Sequence, residues 1–478
     1  MLRSLVIVAL TVAGGRPAPP AAPSPDLAAL RLTHLDLALA VDYEEARLTG
    51  TATLAVENTS EEPVLLIPLL LYRLMTVSEV SDEAGGALAF TQDIVTMADW
   101  PQYQANHITV ILDAPLAPGQ RTSVRVGYGG YLAGLTETGM RYVQDRIAWE
   151  FTIIREDALA FPVLGVPSWE QNRAVARAPF SFRARIAVPE GLTVAAGGRL
   201  VRRTLANGRV TFEYRNLEPV EFLNIAIAPY QRLEGQDATV FYFPADSAGA
   251  GRVLDRLESA LALLGRWFGP IESKAGITVI EIPEGFGSQA SLAAGIIQTR
   301  EAFNDSTQYR QLYHELSHLW NAPDLDVPSP RWNEGLASFL ERRMAAELDG
   351  WPAMDAFMDD AARTIVTRFD ENPTYQTTPL VDYGKTSHTD LSYRVGMLAF
   401  YALDRLIGSE AFNHGIGTYL RRYRDSGGAT ADLVTVFQQA APTIDITGFF
   451  QDWFYSMNWY ERLRDGASLG ELIEGSRN

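Results

Sequence analysis

Two periodicities divide the chain. Between about residues 28 and 235, apolar and polar positions alternate in LDLALAVDY (35–43), LTGTATLAVEN (48–58), HITVILD (107–113), SFRARIAVP (181–189) and VTFEYRN (210–216). Period two sends successive side chains to opposite faces of a strand, so each run predicts a half-buried strand. The turn signals APG, PEG and ANG lie between runs. Residues 26–235 therefore predict an N-terminal all-β domain, a sandwich or saddle. After GQDATVFYF the period lengthens, and Val253, Leu257, Leu261 and Leu264 recur at helical spacing within 251–269. The order then reads helix, strand (GITVIEIP), glycine-rich loop, strand (GIIQT) and helices to about residue 458. A second, mixed but mostly helical domain is expected over 236–460, followed by a tail at 461–478. No internal repeat interrupts this pattern.

The first residues stand apart. MLRSLVIVALTVAGG has one arginine, then an apolar run, then small residues; that is the plan of a secretory signal and too short for a bilayer core of about 30 Å. GGRPAPPAAPSP at 14–25 reads as an extended linker. The expectation is export, to the periplasm or the medium, without stable membrane insertion once the signal is removed. Composition then narrows the chemistry. With 40 basic against 58 acidic residues the net charge is −18, which disfavours nucleic acid and anionic membrane surfaces as partners. There is no cysteine, so any metal must sit on histidine and carboxylate.

One stretch has the residues for that, YRQLYHELSHLWNAPDLDVPSPRWNEGLASFLE at 309–341. Asn304, Asp305 and Ser306 are candidate N-caps and Pro323 a stop, predicting a helix over about 306–321. On it His314 and His318 share one face, one turn apart, while Glu315 is offset by about 100° and can reach a metal-bound water without ligating. Given 6 histidines and 58 acidic residues, this spacing would arise by chance in roughly 1% of such chains. The run RWNEGLASFLERRMAAEL predicts a second helix with Glu334 near its start, fifteen residues after His318. Two histidines and a glutamate are a catalytic zinc set, which keeps a fourth position for water.

These residues resemble the aminopeptidase N-like gluzincin metallopeptidases. His314, Glu315 and His318 match the HExxH element, and Asn333, Glu334, Gly335, Ala337 and Ser338 the downstream glutamate context, with Glu341 at the family's later glutamate. Tyr393, in YRVGMLAFYALDRLIG, falls at the position of the catalytic tyrosine. The resemblance implies a β domain followed by an α+β, thermolysin-like, mostly helical catalytic domain. It also implies one zinc ion per chain on His314, His318 and Glu334, Glu315 as the base, Tyr393 as donor to the oxyanion, and a peptide substrate. The strand GIIQT, with Gly295 and Ile296, is expected to pair with the substrate backbone.

The sequence departs from the family in three places. The gap between His318 and Glu334 is fifteen residues rather than eighteen, so the loop NAPDLDVPSP is shortened. In GFGSQASLAAGIIQTREAF the glutamate that grips a free amine is replaced, by Ala290 or Leu292 depending on the alignment, leaving Gln289 to accept a hydrogen bond. The family's large helical C-terminal domain has no counterpart, which predicts an open cleft.

The expected activity is aminopeptidase action on short peptides. The alternatives are a zinc endopeptidase or dipeptide-releasing enzyme without a free-amine requirement, or a binding module on the same fold. His388 is an alternative oxyanion donor, and Asp324 and Asp326 are candidates to orient a ligand histidine or simply to shape a loop. His34, His107 and His414 have no partner pattern, the arginines at 420–425 suit a helix C-terminus, and GFGSQAS lacks the lysine of a phosphate loop.

Overall fold

The computed structural model describes residues 27–174, 178–274, 276–326, 329–352, 354–385 and 389–476. The predicted signal and linker, residues 1–25, and His388 lie outside the described residues.

The alternating runs do form sheets. A seven-stranded sheet runs in the order Arg199–Ala206, Arg209–Arg215, Ser181–Pro189, Leu30–Asp42, Arg47–Asn58, Arg121–Gly130, Met75–Ser81. Leu35, Leu37, Leu39 and Val41 point inward from one strand and Leu48, Ala52, Leu54 and Val56 from its neighbour. These inward rows pack against a four-stranded sheet (Ala89–Met97, Trp100–Leu116, Val64–Tyr72, Val163–Leu164) in one continuous apolar core. The ANG turn closes its hairpin because Asn207 and Gly208 both adopt positive φ, 50° and 70°, the geometry that matches strand twist in a two-residue loop.

A third sheet, Thr193–Ala196, Asn224–Ala228 and Thr152–Arg155, faces the second domain. Its Ile153, Ala195 and Ala226 share a core with Ile280, Ile282 and Ile297. The second domain begins with a five-stranded sheet in the order Gln231–Glu234, Ala238–Tyr242, Ile277–Ile282, Gly295–Thr299, Gln289–Ser291. The strand Gln231–Glu234 thus joins this sheet just ahead of the expected boundary at 236. The predicted helix is Ser247–Phe268 and buries Val253, Leu257 and Leu264, with Leu261 only partly covered.

Two expectations change here. The expected tail at 461–478 is folded as far as it is described, to residue 476: Leu469–Gly475 is a helix, capped reciprocally by Ser468 and Glu471, that sinks Leu469, Leu472 and Ile473 into the helical core. Seven residues were too few for the period to register, although the cap signature S-x-x-E was present. The strand Gly295–Thr299 is not available to a substrate, because Ile277–Ile282 occupies one edge and Gln289–Ser291 the other. Gly295 and Ile296 are fully inside, Ile296 in the apolar core.

Candidate metal centre

The first histidine helix is Arg310–His318, shorter than the predicted 306–321. Asp305 is spent locally, accepting from Thr307 N and Oγ1 in a turn, so helical hydrogen bonding starts only after Tyr309. Leu312, Tyr313 and Leu316 bury the opposite face, which turns His314, Glu315 and His318 toward a cleft. The second helix, Trp332–Asp349, is fixed by two close contacts. Trp332 is fully buried and donates from Nε1 to Thr430 Oγ1 at 3.1 Å. Gly335 crosses Gly396 of the helix Thr389–Ile407 so tightly that a Cβ on Gly335 would lie 2.3 Å from Gly396 Cα. This glycine crossing brings Glu334 and Tyr393 to the same place. It also gives a physical reason for glycine in both NEG and YRVG.

Three donor atoms converge. His314 Nε2 is 3.3 Å from Glu334 Oε2 and 3.3 Å from His318 Nε2, and His318 Nε2 is 3.4 Å from Glu334 Oε2. Tetrahedral ligands held about 2.0–2.1 Å from zinc are about 3.3–3.4 Å from one another. The triangle therefore fits a zinc ion with a fourth corner toward the cleft. His314 Nδ1 lies 3.2 Å from Glu341 Oε2, a contact that directs Nε2 toward the triangle. Glu341 is itself gripped by Arg310. In the protein alone, burial disfavours charge on His314, but Glu334 and Glu341 outweigh it and push its pKa up to about 10. Burial would raise Glu334, yet both imidazoles hold its carboxyl well below the usual range.

Glu315 is 6% exposed and lies beside the triangle without belonging to it. Burial raises its pKa against the pull of His318 and His314, a shift that makes a carboxylate a better proton acceptor. The Tyr393 ring stacks on His314, with centroids 5.8 Å apart and planes at 22°. Burial and the Glu334 charge push its hydroxyl up to about 12, keeping it a donor, while Arg331 acts the other way.

Two chambers meet at the triangle, of about 670 and 920 Å³, both bordered by Gln289, His314, Glu315, Glu334 and Tyr393. The first is bordered by Glu218, Glu221, Asp324 and Asp425 with Lys274 and Arg424; the second by Arg310, Arg331, Arg342 and Arg394 with Glu301, Glu341 and Asp360. The exposed edge beside them is Gln289–Ser291, where Ala290 replaces any carboxylate. Gln289 is not free to accept from a substrate as expected, since its Oε1 accepts from Asn224 Nδ2 at 2.9 Å and its Nε2 donates to Asp157. Asp324 and Asp326 touch neither imidazole. Asp324 accepts from Ser329 and from the Asp326 backbone, and Asp326 Oδ2 accepts from Thr430 N and Oγ1, so they fold the shortened loop and dock it. His34 pairs with Ser181 across two strands, away from the site.

The role of the first domain was not visible in the sequence. Arg155, fully buried, donates to Asp145, to Tyr142 O and, from Nη1, to Phe286 O at 3.0 Å. Gln144 Nε2 donates to Gly285 O at 2.8 Å. The β domain thereby holds the loop that leads into the cleft edge.

Fold and triangle together place two imidazoles and a carboxylate, a set able to hold zinc, on the cleft of a two-domain chain. Residues 296–453 match the peptidase family M1 domain. The chain is 22% identical over 299 residues to a leucyl aminopeptidase of Saccharolobus solfataricus, covering 57% of this chain and 37% of that one. It is 23% identical over 301 residues to aminopeptidase M1-B of Oryza sativa subsp. japonica, covering 57% and 33%. The matched region thus spans about a third of those relatives. Among solved structures, an M1 zinc metallopeptidase of Deinococcus radiodurans, in a variant bound to a Tyr-Ser-Ala substrate, superposes with a TM-score of 0.66 at 21% identity, covering 90% of this chain and 95% of that one. Its two-domain fold is the fold seen here.

Proposed function

We propose that this chain hydrolyses peptide bonds with one zinc ion held by His314, His318 and Glu334, acting as an aminopeptidase on short peptides outside the cytoplasm. The observation that carries the reading is the triangle of 3.3, 3.3 and 3.4 Å with the buried Glu315 beside it. When bound, zinc supplies Lewis-acid activation of water and of the carbonyl. Glu315 accepts the proton of the attacking water on its carboxylate and delivers it to the departing amine. Tyr393 donates its hydroxyl proton in a hydrogen bond to the carbonyl oxygen as negative charge develops there. The one-sided strand Gln289–Ser291 offers backbone hydrogen bonds to an extended substrate.

A second reading, an endopeptidase or dipeptide-releasing enzyme, draws on Ala290 and the occupied Gln289 amide, which leave the cleft edge without an amine anchor. The likeness to aminopeptidases keeps aminopeptidase action in front. Wild type and Glu315→Gln are to be compared for zinc content and for turnover of peptides with free or acetylated N-termini. The variant should keep one zinc and lose turnover by about a hundredfold to ten-thousandfold, and wild type should prefer the free amine. Equal turnover in the two proteins would refute the assignment of the base; preference for the acetylated peptides would select the second reading.

A further inference from the structure

Arg331 stands immediately before the helix that carries Glu334, and its backbone is left-handed, with φ 62° and ψ 20°. Glycine or asparagine adopts that conformation easily; a long side chain does so only when something else holds it. Strain of this kind concentrates where a side chain is needed for function. Here the guanidinium has one Nη 3.7 Å from Glu334 Oε1 and borders the second chamber together with Tyr393. Its Nε is buried without an acceptor. Of the carboxylates bordering the chamber, Glu334 turns Oε2 to the two imidazoles and Glu341 pairs with Arg310 and His314. Arg394 lines the same chamber. Arg173, reaching over from the β domain, lies close enough that burial and the Arg331 charge together hold its guanidinium below the usual range. Guanidinium groups gathered on one chamber are relieved by an anion, and a planar carboxylate suits the arginine fork.

We propose that Arg331 is a specificity-determining residue that binds a substrate carboxylate next to the scissile bond, on the side of the second chamber. The inference rests on the peptidase reading and adds a preference that the zinc triangle does not supply. The guanidinium lies 3.7 Å from the Glu334 carboxylate and borders the same chamber as Tyr393, so its anion lies within about one residue of the reacting carbonyl, a span of at most about 3.6 Å along the chain. Such a carboxylate has two sources, the C-terminus of a very short peptide or an acidic side chain flanking the cut.

The test uses the full chain loaded with zinc and four substrates: a dipeptide as free acid, the same dipeptide amide, and peptide amides differing only by glutamate or glutamine beside the cut. In wild type, kcat/KM should favour the carboxylate member of at least one pair. In Arg331→Asn that ratio should fall about tenfold, mainly through KM, whatever common factor the neutral substrates lose. Arg331→Lys should restore part of it. Asparagine relieves the left-handed strain, so the variant should melt no lower than wild type and keep its zinc. The pair that moves identifies the source. A uniform loss on all four substrates, loss of zinc, or no carboxylate preference in wild type would each overturn the proposal. If wild type cleaves none of the four, the peptidase reading falls as well.

Discussion

In the β domain the deepest charges are closed off: Arg155 and Asp145 are both fully buried, and the guanidinium spends its donors on Asp145 and two backbone carbonyls. In the helical domain, charged and titratable groups are gathered and left facing one another. Glu315, Glu334, Glu341 and two imidazoles share one pocket, at a place where Gly335 meets Gly396 and Arg331 is left-handed. One domain uses buried polarity to fix its neighbour's loop. The other holds groups that relieve their repulsion by taking up a cation or a proton. Stability and chemistry are thus served by different regions.

The contrast can be broken most forcefully at Arg155. Arg155→Met strands Asp145 and should cost about 3–5 kcal/mol in thermal unfolding, whereas adding Asp145→Leu should recover much of it. If the double variant melts as low as the single one, the pair is not self-contained. Gly335→Ala tests the opposite region. A Cβ there, 2.3 Å from Gly396 Cα, should cost about 1–3 kcal/mol as helices separate and should weaken zinc retention against a chelator, while the same change at the open Gly251 should leave retention unchanged.

A subtler separation comes from Glu341→Gln, which keeps the three donor atoms but alters what sits behind His314. Zinc affinity should drop about 10–100-fold with little change in melting temperature. Because the His314 pKa is raised to about 10, zinc must displace a proton at neutral pH. Affinity in wild type should therefore fall as pH drops, by up to about tenfold per unit, and less steeply in the variant.

The smallest expected effect is at Glu281, fully buried, whose pKa burial raises to about 9, with Phe243 N opposing and Asp246 reinforcing. A raised acid contributes stability in full below its unfolded value of 4.5 and loses it as pH rises toward 9. Glu281→Gln should thus be more stable than wild type near pH 7, with the gain vanishing below pH 4.5; a gain independent of pH would rule out titration as its origin.

Much of this was legible locally. Alternation along LDLALAVDY and LTGTATLAVEN gave strands and their inner faces, since period two is a property of consecutive residues. The spacing of His314, Glu315 and His318 placed two of the converging donors and the carboxylate beside them because one helical turn is also local. The GIIQT strand was misread because edge or interior is set by strand order. Yet the apolar residues leading into it, Leu292 to Ile297, were a sign of burial on all sides, and the mixed polarity of Gln289–Ser291 marked the true edge. The helix Leu469–Gly475 was hidden by its brevity.

By itself, then, the sequence determined which segments become strands and helices, where two imidazoles and a carboxylate share a turn, and that no thiolate takes part. Tertiary structure alone decided that Gly335 packs on Gly396, that Arg155 grips the cleft loop, that Gln289 is already engaged, and that Arg331 is held left-handed beside Tyr393. The reason is range: periodicity and spacing act over one or two turns, whereas these contacts join residues far apart in the chain, and only the packed core brings them within hydrogen-bonding distance.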